Sequence, residues 1–159
     1  MSRRDEIVDD LIVSVFRLNG HLIEAGNRLV MDIGLTSAWW QVLGALALSP
    51  VALPVAHIAR NMGLSRQSVQ RVADLLAEKG LVRFEANPHH QRAKLVVLTP
   101  QGSAAVGAAE ERQRPWAREM MAGLTLERLA TAREVLRHMN KHLAEAIGAA
   151  DEDFTTEEK

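Results

Sequence analysis

Six polar side chains, Ser65, Arg66, Gln67, Ser68, Gln70 and Arg71, are threaded between the apolar residues Leu64, Val69 and Val72. Glutamine and arginine carry the donors and acceptors that match base edges in a DNA major groove, while serine hydroxyls and backbone N–H groups suit phosphate oxygens. The preceding residues supply the rest of a helix-turn-helix. Ala59 is small enough for two helices to cross closely, Gly63 permits a tight turn, and Leu64, Val69 and Val72 are placed to hold the second helix in a core. An ordinary solvated amphipathic helix would show similar spacing, so the residues that follow carry weight. They form a candidate hairpin whose turn and second strand bring Gln91, Arg92 and Lys94.

Histidines offer a second chemistry. His89 and His90 are adjacent, and His138 and His142 are one helical turn apart with Glu134 and Glu145 nearby, a set that could hold a metal through N and O ligands. No third ligand is fixed by spacing, so exposed helix histidines are the expected reading, with no metal or other cofactor. The chain has no cysteine, which excludes disulfides, thiolate nucleophiles, thiol redox sensing and Cys-based zinc sites. Gly-x-Ser-x-Gly, His-Glu-x-x-His and a phosphate-cradling glycine loop are all absent, so no enzymatic activity is expected.

The elements that position these groups follow from periodicity. Residues 6–31 carry apolar positions at helical spacing: Ile7, Leu11, Val15, Leu18, Leu22 and Leu29, with Val8, Ile12, Phe16 and Ile23 alongside. Two neighbouring apolar faces exceed what one core requires. Thr36 or Ser37 caps a second helix through Leu48, and Pro54 suits the first turn of a third ending at Gly63. Ser65 caps a fourth, which reaches about Lys79 with Gly80 as its terminator. The period then shortens: Leu81–Glu85 and Lys94–Leu98 read as two strands joined by the polar turn Asn87–Arg92. Thr99-Pro100 opens a long helix with a kink expected at Pro115, Gly123 ends it, and Thr125 caps a last helix bearing Leu129, Leu136, Met139, Leu143 and Ile147. The expected fold class is mainly α with a small β-hairpin.

The 159 residues amount to one ordinary domain with enough bulk to bury a core unaided. The net charge of −1 conceals a division: residues 54–100 hold seven bases and three acids, whereas the remainder holds twelve bases and seventeen acids. One basic segment within an acidic protein is the footprint of a phosphate-facing surface. Residues 151–159, with five acids and one base, read as a disordered tail. The acids in Met1–Asp10 interrupt any signal-peptide pattern, and the most apolar stretch, Val42–Ala56, is short and broken by Pro50 and Pro54. A soluble cytoplasmic protein without membrane attachment is expected.

Several segments in series resemble the MarR-type winged-helix transcriptional regulators: Leu35-Thr36, Val42-Leu43, Ala56-His57-Ile58-Ala59, Ser65-Arg66-Gln67-Ser68-Val69, Leu75–Val82, Asn87-Pro88, Arg92-Ala93-Lys94 and Leu98-Thr99-Pro100-Gln101-Gly102. The resemblance covers nearly all of the ordered chain. It implies a homodimer built from residues 1–34 and 101–150, with the winged helix-turn-helix in residues 35–100 binding double-stranded DNA. It also implies a crevice for a small organic effector, aromatic or phenolic, for which Trp39, Trp40, His21 and Arg17 are the candidates. Trp39 and Trp40 lie about 100° apart on a helix, so one is expected in the core and the other towards the crevice, unless both pack at the core edge. The wing departs from the family. Where Asp-x-Arg is usual just before its second strand, this chain has His89-His90-Gln91-Arg92, so the acid is replaced by histidine. Phe84 stands where many members carry arginine.

A ligand-responsive, DNA-binding homodimer that recognises a pseudo-palindromic operator is therefore the leading expectation. Its contacts would be Ser65, Arg66, Gln67, Ser68, Gln70, Arg71, Gln91, Arg92 and Lys94. The alternatives are a metal sensor using the histidine pairs and a protein-interaction module whose altered wing no longer engages DNA. An unperturbed imidazole gains charge near pH ~6.5, so histidines beside phosphate are expected to strengthen DNA binding as pH falls.

Overall fold

The structure, a computed structural model, describes residues 2–148; the acidic tail at 151–159 lies outside them. Two units are distinguished, one up to Trp116 and one from Ala117 onward. The first begins with α1 (Arg3–Val30), a 3-10 turn (Met31–Ile33) and α2 (Ser37–Leu48). Next come β1 (Leu53–Pro54), α3 (Val55–Met62), α4 (Arg66–Glu78), β2 (Val82–Glu85) and β3 (Leu95–Leu98). Helix α5 (Pro100–Met120) runs on through Pro115, and the second unit contains α6 (Leu126–Ala146).

Capping accounts for most of the boundaries. The Thr36 hydroxyl accepts from the Trp39 N–H at 3.2 Å, and Thr125 does the same for Arg128 at 3.3 Å. Helix α1 starts three residues earlier than its apolar pattern suggests. Ser2 and Asp5 form a capping box in which each side chain accepts the other's backbone N–H, at 3.3 and 2.8 Å. Those bonds to Ser2 hold the Asp5 carboxyl below its ordinary range.

The sheet has three antiparallel strands in the order β1-β3-β2, which corrects the two-stranded expectation. Leu53 and Pro54 pair with Val96 and Leu95, while Val82, Arg83, Phe84 and Glu85 face Leu98, Val97, Val96 and Leu95. The short β1 carries a proline, which an edge strand tolerates because its N–H side needs no partner. The core of this unit lies where α2, α3, α4 and the sheet meet, around the fully buried Val42, Leu43, Ile58, Val69, Leu76, Val82 and Val96. The Ser37 hydroxyl and amide bind the Ile23 carbonyl and the Asn27 side chain, at 2.6 and 2.7 Å, which fastens α2 to α1.

The junction between β3 and α5 is equally tight. Thr99 donates its N–H to the Leu81 carbonyl (3.1 Å) and its hydroxyl to the Gly80 carbonyl (2.6 Å). The same hydroxyl accepts from the Gly102 N–H at 3.0 Å. A Cβ at Gly102 would lie 1.9 Å from the Leu81 carbonyl oxygen, so only glycine fits between the helix and the chain leading into β2. The Leu98–Gly102 segment is thus a buckle joining helix to sheet.

Candidate nucleic-acid interface

Helices α3 and α4 meet at a turn built by one left-handed residue. Gly63, with φ +63°, donates its N–H to the last turn of α3, and Leu64 donates to the Ala59 carbonyl at 2.8 Å. Ser65 then caps α4, its hydroxyl accepting from the Ser68 N–H at 3.1 Å. Val69, Ala73 and Leu76 are buried, so their helical spacing turns Arg66, Gln67, Gln70 and Arg71 outward, where all four are exposed. Leu64 departs from the expectation that it anchors the helix. It is 38% exposed, whereas Val69 is fully buried and Val72 packs against the core as expected, joined by Ala73 and Leu76.

The wing is shaped by Asn87. Its side-chain oxygen accepts from the His89 N–H at 3.0 Å and its carbonyl from the His90 N–H at 3.3 Å; a second turn follows, with Ala93 bonded to His90. His89, His90, Gln91 and Arg92 are exposed around this double turn. On β2, Arg83 is paired with Glu85 at 2.6 Å and reaches the Leu98 carbonyl.

An open groove of about 610 Å³ lies between α4 and the wing. Arg66, Gln67, Gln70, Arg92 and Lys94 line it, together with Asp74, Phe84, Ala93 and residues 54–56. Five of the nine expected contact residues thus share one concavity. Ser65, Ser68, Arg71 and Gln91 are exposed but do not line it. Three cations and one carboxylate face the groove. That carboxylate, Asp74, accepts from Gln70 Nε2 at 2.8 Å. The Gln70–Asp74 spacing of four residues within a helix is the signal that could have found it.

The effector candidates are more scattered. Trp39 and Trp40 are both half-buried and pack against the core cluster. His21 and Arg17 are exposed on α1. A feature with no local sequence signal joins α5 to the 3-10 turn: Arg112 grips Asp32, with bonds of 2.7 to 3.2 Å to both carboxylate oxygens. The guanidinium holds the Asp32 carboxyl below its usual range, and the carboxylate raises Arg112 in turn. On α6 the His138 and His142 rings meet edge to face with centroids 4.5 Å apart. Among the described residues, no three His, Cys, Asp or Glu side chains converge as a metal site would require. No single described helix is long and apolar enough to cross a membrane.

Known proteins share both the pattern and the fold. Residues 33–93 match the family model described as the MarR family. An uncharacterized Mycobacterium tuberculosis protein is 41% identical over 108 residues, which span 68% of this chain and 73% of that one. Among solved structures, CouR from Rhodococcus jostii, bound to p-coumaroyl-CoA, is similar at a TM-score of 0.75 and 23% identity. That match covers 84% of this chain and 93% of CouR. A mutant MarR from Escherichia coli, complexed with operator DNA, is similar at a TM-score of 0.72 and 21% identity over 87% of this chain and 99% of that one. The helix-turn-helix, the sheet behind it and the aligned segments agree: the chain belongs to the MarR family of winged-helix transcriptional regulators.

Proposed function

We propose that the protein is a homodimeric, effector-responsive regulator that lays α4 in the major groove of double-stranded DNA with its wing against the adjacent backbone. The observation that carries this reading is the groove in which Arg66, Gln67, Gln70, Arg92 and Lys94 converge. Glutamine and arginine suit base edges, and cations on both walls suit the flanking phosphates. Ser65, Ser68, Arg71 and Gln91 flank the groove as further contacts. The fold shared with a MarR variant that carries operator DNA supports the reading. A two-fold dimer would present two such grooves to half-sites about one helical turn apart, so the operator is a pseudo-palindrome. Residues 1–34 and 101–150 form the dimer and residues 35–100 bind DNA. The fold shared with CouR and its phenolic thioester supports an aromatic or phenolic effector, with Trp39, Trp40, His21 and Arg17 as the candidate contacts.

Salt titration of binding to duplexes selected from random sequence tests the DNA role. Three cations per groove and two grooves per dimer give a slope of log affinity against log salt of about −5. A slope shallower than about −2 would overturn it.

A further inference from the structure

We infer that Asp74 is a positioning residue that fixes the orientation of the Gln70 side-chain amide and thereby sets its base preference to adenine. The inference rests on the DNA-binding reading above. It begins with an anomaly of charge: Asp74 is the single carboxylate among the residues lining a groove that also carries Arg66, Arg92 and Lys94. A carboxylate facing DNA opposes binding through its repulsion of phosphate, so its place in this groove calls for a compensating role.

The hydrogen bond from Gln70 Nε2 to Asp74 Oδ1, 2.8 Å long, supplies that role. An ionised carboxylate is acceptor-only and can bind a glutamine amide only through its NH₂ end, so the amide cannot turn over. Of the two N–H groups on Nε2, the one on the Oε1 edge would bring Oε1 against the carboxylate; the outer one avoids this repulsion. Gln70 is then left with one N–H and Oε1 side by side. That donor–acceptor edge matches adenine, whose N7 accepts and whose N6 amino group donates, and it opposes guanine, whose N7 and O6 both accept. Without Asp74 the amide is free to rotate and can offer its NH₂ group to guanine as well.

The experiment is selection of bound duplexes from a randomised double-stranded DNA library by the parent protein and by Gln70→Ala, Asp74→Asn and Asp74→Ala, followed by affinity measurement on the selected sites. Thermal melting confirms that each variant is folded, as expected for exposed positions. In the parent, one position per half-site should prefer adenine over guanine by roughly 5- to 150-fold, the discrimination of a bidentate pair. Gln70→Ala should make that position indifferent. Both Asp74 variants should admit guanine there to within about threefold of adenine, keep the parent's preferences elsewhere, and bind random DNA more tightly than the parent does. If the Asp74 variants retain the parent's adenine preference, the orienting role is wrong; if Gln70→Ala retains it, Gln70 does not read that base. A parent protein that selects no sequence at all would overturn the regulator reading itself, an outcome distinct from either of these.

Discussion

Leu18→Asp is expected to leave only unfolded or aggregated material if the chain pairs as proposed, although Leu18 is 48% exposed in the single chain. On an isolated chain, such a surface change shifts stability by no more than about ±0.5 kcal/mol. The argument for a large effect comes from its neighbours. Ile7, Ile12, Phe16, Leu22 and Ile23 are also exposed on α1, Phe16 by 75%, and of the 28 residues of this helix only Gly26 and Val30 are buried. So long an apolar surface is expected to be covered by a second copy of the chain, in an interface of the obligate class, typically above ~2,000 Å². An aspartate at its centre would then be an uncompensated buried charge, costing on the order of 3–5 kcal/mol. Leu143→Asp, on the exposed apolar side of α6, should behave in the same way. Sedimentation and concentration-dependent melting are the measurements: the parent's melting temperature should rise with concentration, since association binds only the folded state. A parent that is folded and monomeric at micromolar concentration would remove the basis for both expectations.

Gly102→Ala should destabilise the fold by about 2–4 kcal/mol, combining the cost of overpacking with the loss of a buried hydrogen bond. The sign is decided by geometry. In an open helical site the same substitution gains roughly 0.5–1 kcal/mol through chain entropy. At Gly102 the new methyl would fall 1.9 Å from the Leu81 carbonyl oxygen and 2.9 Å from its carbon. Backbone cannot swing aside as a flexible side chain does, and that oxygen already accepts the Thr99 N–H. Helix α5 must therefore lift off the sheet. Gly107, in the same helix, meets nothing within 4 Å and serves as the control: Gly107→Ala should raise the melting temperature while Gly102→Ala lowers it. Equal shifts in the two variants would show that the buckle is not under steric constraint.

What could be read in advance was whatever is coded locally. The caps Thr36, Ser65 and Thr125, the stop at Gly63 and the change of period after Gly80 fixed most boundaries, since each depends on neighbours within a few residues. Strand β1 was illegible because it consists of two residues, one a proline, and exists only through pairing with Val96 and Leu95 some forty positions away. The Asp32–Arg112 clasp joins residues 80 apart with no shared pattern. Leu64 misled because apolarity alone does not reveal on which side of a turn a residue emerges. In the candidate interface, the residue types along α4 were legible and their company was not. Nothing local says that Arg92 and Lys94 come to face Arg66 and Gln70, since the hairpin must fold back for them to meet.

The buckle at Thr99 also closes the wing into a loop, with its neck pinned to Gly80 nineteen positions upstream. Closing a loop becomes costlier only logarithmically with its length. Four extra residues inserted at the His89–Gln91 tip would raise that cost by only about 0.2 kcal/mol. Selection can therefore lengthen, shorten or recharge this tip with almost no thermodynamic penalty to the domain behind it. The segment proposed to lie beside the DNA backbone is thus one whose length can change at little cost to the domain behind it, so the grip on phosphate can be retuned there while the base-reading helix stays as it is.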